Sequence, residues 1–410
     1  MRGATPLMRS MPTRARPPRS AAPVEFDDGA RPAPPEQPAP APPSPLVHRV
    51  ARASLVWLVS WTFALPLVGA WLLRRIAATS VVAALALALG YAVVSYDGCE
   101  RRDGRIALRL TAWWPICHGY FPVRLHFAAE GVVAPSGGPI DPRWGARLRR
   151  ALPTRERAHV LAFHPHGPFP LGASVVMPNL VRLGRGLGDD RGLGDDRGGG
   201  RGGGHFDRVR MATASAVFAL PLVRDMYLSL GCVSADRATL RGVLARGHTV
   251  GILPGGEREQ LLVAPHEAPT EPLVRPRDGL LRLALEARAP IVPAFVFGER
   301  RAYVSLSFGA SARATLARRF RVGIPAAYGF VCAPFMPRAV PIDVVFGGAL
   351  DVARFVDVDG GAPSAAQVEA LREAYCEAVA ALFESHKHQF GYGHKRVEWI
   401  DHRSVDAKCQ

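Results

Sequence analysis

Two histidines stand on either side of a proline where a short apolar run ends. His164 and His166 flank Pro165 directly after Val160–Phe163, and Gly167 follows. The apolar run predicts a buried strand, and the proline predicts a stiff turn at the carboxyl edge of a sheet, where α/β proteins gather their sites. An imidazole titrates at about pH 6.5 and can take a proton from a hydroxyl. We therefore expect a catalytic base here.

The histidine pair has two other interpretations that the sequence leaves open. A His-x-His pair can bind zinc, although no third ligand stands at motif spacing, and the pair can also be purely structural. Our prediction is a base without a metal. His166 is nearer to Gly167, which lets substrate approach the backbone, so we assign the base to His166 and a supporting role to His164.

Acidic residues follow a second apolar run. Gly255 and Gly256 end the run, and Glu259 stands three residues further on. A carboxylate in this position suits the orientation of an imidazolium or a substrate, although a surface loop is the alternative. Arg275 and Arg277 precede a helical segment and suit a phosphate clamp, with solvated loop charges as the alternative.

Apolar runs and helical segments alternate through the rest of the chain, which predicts an α/β fold with a mixed sheet flanked by helices. The further predicted strands are Val250–Leu253, Ile291–Phe297 and Ile342–Phe346, and the predicted helices are Arg237–Arg246, Gly279–Arg288 and Ala365–His386. The last helix opens with Ser364 and Gln367, the pattern of a capping box.

An uncharged block near the N-terminus predicts membrane contact. Leu55–Leu73 and Ile76–Val94 contain no charged residue, and only Arg74 and Arg75 separate them. Each stretch would reach about 28 Å as a helix, close to the hydrocarbon thickness of a bilayer. We predict a transmembrane helical hairpin over residues 55–94 with a turn at the two arginines and both ends in the cytosol. A pair of buried core helices is the alternative.

Composition limits the remaining possibilities. The 410 residues carry a formal net charge of +16, but the arginines are scattered and form no nucleic-acid module. The six cysteines show no C-x-x-C pair, which favours a reducing compartment. Residues 1–48 are rich in Pro, Ala and Arg, which predicts a disordered tail or an organelle transit peptide. The catalytic domain would then span residues 95–410, with a mobile low-complexity insert over 186–204.

Six motifs in order resemble the diacylglycerol acyltransferase type 2 family, which includes monoacylglycerol and wax-alcohol acyltransferases. They are Tyr120-Phe121-Pro122; His164-Pro165-His166-Gly167; Gly255-Gly256 with Glu259; Arg277-Asp278-Gly279 with the helix after it; Val292-Pro293 with Phe297-Gly298-Glu299; and His386-Lys387 with Phe390-Gly391. Pro254, Arg258 and Asp278 depart from the family pattern. The chain also lacks the H-x4-D dyad of glycerolipid acyltransferases, because Phe169 and Leu171 stand where the aspartate would be.

The resemblance implies a membrane-bound O-acyltransferase that moves a fatty acyl group from acyl-CoA to diacylglycerol. A histidine base would act by direct transfer, with acyl-CoA as co-substrate and no further cofactor. The implied substrate-binding residues are Tyr120, Phe121, Pro122, Gly167, Gly255, Gly256, Arg275 and Arg277. The implied location is the endoplasmic reticulum membrane or a lipid droplet, with a plastid membrane as the alternative, and a homo-oligomer stays open.

Other functions also remain. A monoacylglycerol or wax-alcohol acyltransferase would carry the same motifs, and a non-catalytic lipid-droplet protein would need the hairpin but not the histidines. A lipase would show the G-x-S-x-G nucleophile elbow, which does not occur in the sequence. A covalent route through Cys232 is disfavoured, since no histidine stands beside it in sequence and its neighbours are apolar.

The insert gives a direct test of this domain assignment. Replacing residues 186–204 with a short Gly-Ser linker should leave activity within about threefold, because a loop that only spaces elements tolerates changes in length and composition. Activity per amount of expressed protein is the measurement. A large loss with expression retained would mean that the insert contributes to the site.

Overall fold

The computed structural model describes residues 66–102, 123–127, 132–133, 158–173, 209–262, 266–306, 309–320, 326–331, 336–357 and 361–405. The tail over 1–48, the motif Tyr120-Phe121-Pro122 and the insert over 186–204 lie outside these residues and stay predictions.

The described part of the chain contains strands and helices in alternation. In chain order the strands are β1 (Val123–Phe127), β2 (Val132–Val133), β3 (Val160–His164), β4 (Val209–Thr213), β5 (Cys232–Ser234), β6 (Thr249–Ile252), β7 (Thr270–Val274), β8 (Ile291–Phe297), β9 (Val304–Ser305), β10 (Ala327–Tyr328), β11 (Ile342–Phe346) and β12 (Arg396–Ile400). The helices are α1 (residues 66–79), α2 (Val81–Ser95), α3 (Val223–Ser229), α4 (Arg237–Ala245), α5 (Gly256–Leu261), α6 (Asp278–Ala287), α7 (Ala310–Phe320) and α8 (Ala365–His386). The predicted α/β class is confirmed.

Eight of these strands form one mixed sheet in the order β2-β1-β11-β8-β3-β6-β4-β5. The block β8-β3-β6-β4-β5 is parallel throughout, whereas β11 runs antiparallel to β8. All residues of β3 and β8 are buried, as expected for central parallel strands covered on both faces. The carboxyl ends of the five parallel strands therefore lie along one edge of the sheet.

The long helix α8 covers one face of the sheet. Ser364 and Gln367 form the predicted capping box, in which each side chain bonds the other residue's backbone amide. The buried side chains of the helix recur at helical spacing and include Phe383, whose ring centroid lies 4.9 Å from that of Phe295 on β8. Burial of this apolar stripe, more than helix propensity, holds the helix on the sheet.

The two apolar helices differ from the prediction at their junction. We predicted a turn at Arg74 and Arg75, and this is wrong, because α1 continues through both arginines to residue 79. The break lies at Ser80, whose backbone is extended and whose hydroxyl accepts a hydrogen bond from the Ala83 amide at 3.1 Å. Arginine is a good helix former, whereas serine is a preferred N-cap, so the two helices meet at the serine.

Helix α2 presents apolar side chains on nearly its whole surface. Of its 15 residues only Ala84 and Ser95 are buried, while Val82 is 78% and Leu89 66% exposed. With the turn that follows, Val81–Arg101 is long and apolar enough to cross a membrane, judged by length and composition. The transmembrane hairpin itself stays a prediction.

Candidate active site

Three neighbouring strand ends supply the candidate site. His164 is the last residue of β3 and leads into Pro165 and His166. Glu259 lies on α5, which begins four residues after β6 ends, and Glu299 follows β8 after one glycine. Because β6, β3 and β8 are adjacent and parallel, the two acids approach the His164–Gly167 loop from both sides.

Glu259 is the central acceptor of hydrogen bonds in the site. The residue is fully buried, and both carboxylate oxygens lie 3.0 Å from Nδ1 of His164. The backbone amide of His166 donates to Oε1 at 2.5 Å, and that of Val274 donates to Oε2 at 2.8 Å. Burial by itself would raise the pKa of Glu259, but attraction to His164 and the hydrogen bonds outweigh it and bring the pKa below its usual range. The group is therefore a carboxylate at neutral pH.

Gly255, the first residue of the glycine pair, makes room for this carboxylate. Gly255 has an ordinary helical backbone, but a Cβ atom added there would lie only 2.1 Å from Oε2 of Glu259. Gly256 has φ +54°, a left-handed conformation that favours glycine. Gly255 and Gly256 were predicted to bind substrate. In the structure the space beside Gly255 is filled by the protein's own acid.

Glu299 holds the other end of the histidine loop. The fully buried carboxyl group accepts hydrogen bonds from the backbone amides of Gly167 at 2.9 Å and Gly172 at 2.8 Å. Burial raises its pKa to about 8, although both amides act in the opposite direction. A Cβ atom at Gly167 would lie 2.6 Å from Oε1, so this glycine also admits a carboxylate. Glu299 belongs to a family-like motif in the sequence, but no role was predicted for it. The available signal was its position one glycine after a wholly apolar strand.

His166 is the accessible imidazole of the pair. Its ring is half-buried, and Nδ1 lies 2.8 Å from the carbonyl oxygen of Gly167. A carbonyl only accepts, so Nδ1 carries the proton, and Nε2 is left with a lone pair in the neutral ring. Burial lowers the pKa of His166, and the Gly167 carbonyl and the charge on Glu259 oppose this only in part. His166 lines a small cavity together with Gly167, Pro168, Gln260, Leu262, Arg300 and Ser305.

His164 is enclosed, in contrast to His166. Its side chain is 0% exposed, and its ring centroid lies 5.7 Å from that of Trp399 and 5.9 Å from that of Tyr375. Nε2 of His164 and the hydroxyl of Tyr375 have no hydrogen-bond partner among the described residues. The ring is positioned to hold Glu259 and is shielded from a bulky substrate.

Arg300, which was not among the predicted site residues, brings a positive charge to the cavity. Its Nε lies 2.6 Å from Glu271, and its other nitrogens donate to the carbonyl oxygens of Leu262 and Pro272. The buried ammonium group of Lys395 lies 3.1 Å from the same acid. Arg300 and Lys395 therefore share the carboxylate of Glu271 in a buried cluster beside His166.

The predicted phosphate clamp lies on a wider groove of about 1100 Å³ next to α5. Arg277 is paired with Glu257 at 2.5 Å, and Arg275 lies 3.6 Å from Asp401. The remaining cationic side chains of the groove belong to Arg258, Arg372 and Arg403. The groove therefore contains arginines that are paired with acids, and an incoming polyanion would have to compete with those acids.

Cys232 is unsuited to a covalent role. The side chain is buried in an apolar cluster with Phe218 and Leu228. Burial raises the pKa of its thiol to about 11, so almost no thiolate is present at neutral pH. The structure agrees with the sequence analysis in disfavouring an acyl-cysteine intermediate.

The space beside Gly255 can be tested with a matched pair of substitutions. Gly255→Ala should reduce turnover about 10²-fold or more, because the new methyl group displaces the Glu259 carboxylate and with it the histidine loop. Gly279→Ala is the control, since a Cβ at Gly279 meets nothing within 4 Å. Steady-state rates at equal protein level are the measurement. Equal activity in the two variants would contradict the positioning role of Glu259.

The chain is similar to several known acyltransferases. A family model described as diacylglycerol acyltransferase matches residues 204–398. Diacylglycerol O-acyltransferase 1 of Eremothecium gossypii is 27% identical over 72% of this chain and 66% of its own length, and acyl-CoA wax alcohol acyltransferase 1 of Mus musculus is 31% identical over 44% and 56%. The alignments thus span less than two thirds of these two relatives. Diacylglycerol O-acyltransferase 2A of Umbelopsis ramanniana is 22% identical over 75% of this chain and 79% of its own length. Three of the family-like motifs meet at one sheet edge, and these matches show that the chain is similar to diacylglycerol and wax alcohol acyltransferases.

Proposed function

We propose that this protein transfers a fatty acyl group from acyl-CoA to the hydroxyl of a membrane-dissolved neutral lipid, with diacylglycerol as the acceptor. The proposal rests on His166, a half-buried residue that lines a cavity and whose neutral imidazole is bonded through Nδ1 to the Gly167 carbonyl oxygen. Such a ring offers Nε2 as a proton acceptor at neutral pH.

The proposed reaction is a direct transfer. The acceptor hydroxyl gives its proton to Nε2 of His166 while its oxygen attacks the thioester carbonyl carbon. The tetrahedral intermediate then collapses, the carbon–sulfur bond breaks, and the CoA thiolate takes the proton from the imidazolium. An ester and free CoA leave the site, and the histidine is again neutral. No bond between acyl group and protein forms.

Charged residues around the loop favour both the imidazolium and the oxyanion that form during the reaction. The Glu259 carboxylate accepts from the His166 backbone and lies close enough to stabilise the imidazolium that forms. Arg300 lines the same cavity, and its positive charge favours the oxyanion of the tetrahedral intermediate. The site thus pairs an anion with the forming cation and a cation with the forming anion.

The substrates have candidate places in the chain. The arginine groove, with Arg275 and Arg277, suits the phosphates of acyl-CoA, and α5 carries both Arg258 of the groove and Gln260 of the His166 cavity. Tyr120, Phe121, Pro122 and Gly256 remain proposed substrate-binding residues. The exposed apolar surface of α1 and α2 supports membrane contact, and the endoplasmic reticulum membrane or the lipid droplet is the proposed location.

The runner-up acceptor is a long-chain alcohol or a monoacylglycerol. Its support is the 31% identity to a wax alcohol acyltransferase, higher than the identity to the diacylglycerol enzymes named above. An acceptor panel distinguishes the candidates. Microsomes containing the protein are given labelled oleoyl-CoA with diacylglycerol, monoacylglycerol or hexadecanol, and products are separated by lipid class. Triacylglycerol as the main product is expected. Wax ester as the main product would reassign the acceptor, and labelled free fatty acid alone would indicate a hydrolase.

Loss of the base should be specific to His166. His166→Ala should lower turnover by about 10²–10⁴-fold, the usual contribution of a general base, with normal protein level and membrane association. The exposed His388 is the matched control, and His388→Ala should keep wild-type activity. Rates are measured at saturating diacylglycerol and oleoyl-CoA. Near-wild-type turnover in His166→Ala would contradict the assignment of His166 as the base.

The pH dependence of kcat/KM follows from the neutral imidazole of His166. Since burial lowers the pKa of His166 below its usual range, the basic form predominates at pH 7. The value of kcat/KM should therefore be level around pH 7 and should fall only as pH drops through the lowered pKa. A decline that already begins above pH 7 would contradict a neutral, buried base.

A further inference from the structure

The segment Ala219–Leu222 connects the catalytic sheet with the apolar helices. It follows β4, a parallel strand two places from β3, and leaves the sheet at the edge that carries His164 and Glu259. A short 3-10 turn over Ser215–Ala219 leads into it, and α3 begins directly after Leu222. The segment therefore shares an edge of the sheet with the candidate active site.

Both apolar helices contact this segment. The backbone amide of Leu222 donates to the hydroxyl of Tyr91 on α2 at 2.7 Å. The hydroxyl of Tyr96, which follows α2, donates to the carbonyl oxygen of Ala219 at 3.0 Å. On α1, a Cβ atom at Gly69 would lie 2.8 Å from Cδ1 of Leu222, so α1 also touches the leucine. These contacts fix the segment along the helices.

Polar groups are ordered along the end of α2. Asp225 accepts hydrogen bonds from the hydroxyls of Tyr91 at 2.5 Å and Ser95 at 2.6 Å. One turn further on, the guanidinium of Arg224 lies 4.6 Å from the ring centroid of Tyr96 and bonds Glu100 at 3.0 Å. Tyrosines followed by a layer of paired charges are typical of the boundary between hydrocarbon and head groups. The two tyrosines thus indicate the depth of the membrane interface, and Ala219–Leu222 lies at the same depth.

The tip of the segment is apolar and exposed. Ala219, Leu220 and Pro221 are all exposed, and Leu220 is 52% accessible. Leu222 has φ +64°, an unfavourable left-handed conformation for a leucine, which its contacts with the helices maintain. An apolar tip beside two apolar helices suits a lipid surface, since its burial in water-free surroundings is favourable.

We infer that Ala219–Leu222 is a membrane-contact segment that holds the carboxyl edge of the sheet against the bilayer. The inference rests on the proposed membrane location of α2 and extends it to the catalytic domain. His166 then lies on the membrane side of the domain, and an acceptor dissolved in the bilayer reaches the site laterally without passing through water.

Photocrosslinking in proteoliposomes tests the contact. The full chain carries p-benzoylphenylalanine in place of Leu220, of Leu85 on α2, or of Leu316 on α7, which is 40% exposed and serves as the control. The vesicles contain alkyne-tagged phosphatidylcholine, and lipid adducts are counted after irradiation. Labelling at positions 220 and 85, several-fold above position 316, is expected.

The three positions separate the possible failures. Labelling at 85 without labelling at 220, or crosslinking of 220 to a second copy of the chain, would overturn the inference and leave the membrane location standing. Labelling at neither position would overturn both.

An activity test uses the same pair of leucines. Leu220→Asp should lower transfer to diacylglycerol in vesicles about tenfold, because a charge at this depth weakens the contact between the segment and the bilayer. Leu316→Asp should have no effect, and a water-soluble short-chain diacylglycerol should be acylated at the wild-type rate by both variants. Equal losses with the soluble and the vesicle-bound acceptor would contradict the inference, because they would indicate a damaged site instead of a weakened membrane contact.

Discussion

The buried carboxylate of Glu259 is the interaction on which the rest of the site depends. It joins the end of β3, the start of α5 and the end of β7 through His164, the His166 amide and the Val274 amide. A buried carboxylate without such partners would cost several kcal/mol, so the three segments can pack together only with the acid and its donors in place. Gly255 completes the arrangement, because any larger residue would occupy the position of the carboxylate.

The two histidines have different surroundings because of this arrangement. His164 uses Nδ1 to hold Glu259 and is enclosed by aromatic rings, whereas His166 contributes its backbone amide to the acid and keeps its imidazole at the cavity. Glu299 holds Gly167 and Gly172 from the opposite side. The loop is therefore fixed through its backbone, which leaves the His166 ring available for proton transfer.

Much of this architecture could be predicted from the sequence. Strand Ile291–Phe297, strand Ile342–Phe346 and helix Ala365–His386 agree with the structure to the residue, since long apolar runs and a capping box are strong local signals. The contacts of the acids could not be predicted, because they depend on the spatial order of strands that are distant in sequence. For the same reason Arg300 and the role of Glu299 went unrecognised. The break at Ser80 was misplaced because charge was taken as the turn signal where N-cap preference decided.

A double-mutant cycle between His166 and Glu259 tests the central claim that the acid acts through the histidine loop. Turnover with diacylglycerol and oleoyl-CoA is measured for His166→Ala, Glu259→Gln and the double variant, with thermal unfolding as the check that each protein is folded. Residues that act as a unit are non-additive, so the double variant should lose little more activity than the worse single variant. Losses that multiply in full would show that Glu259 contributes independently of His166 and would contradict the account.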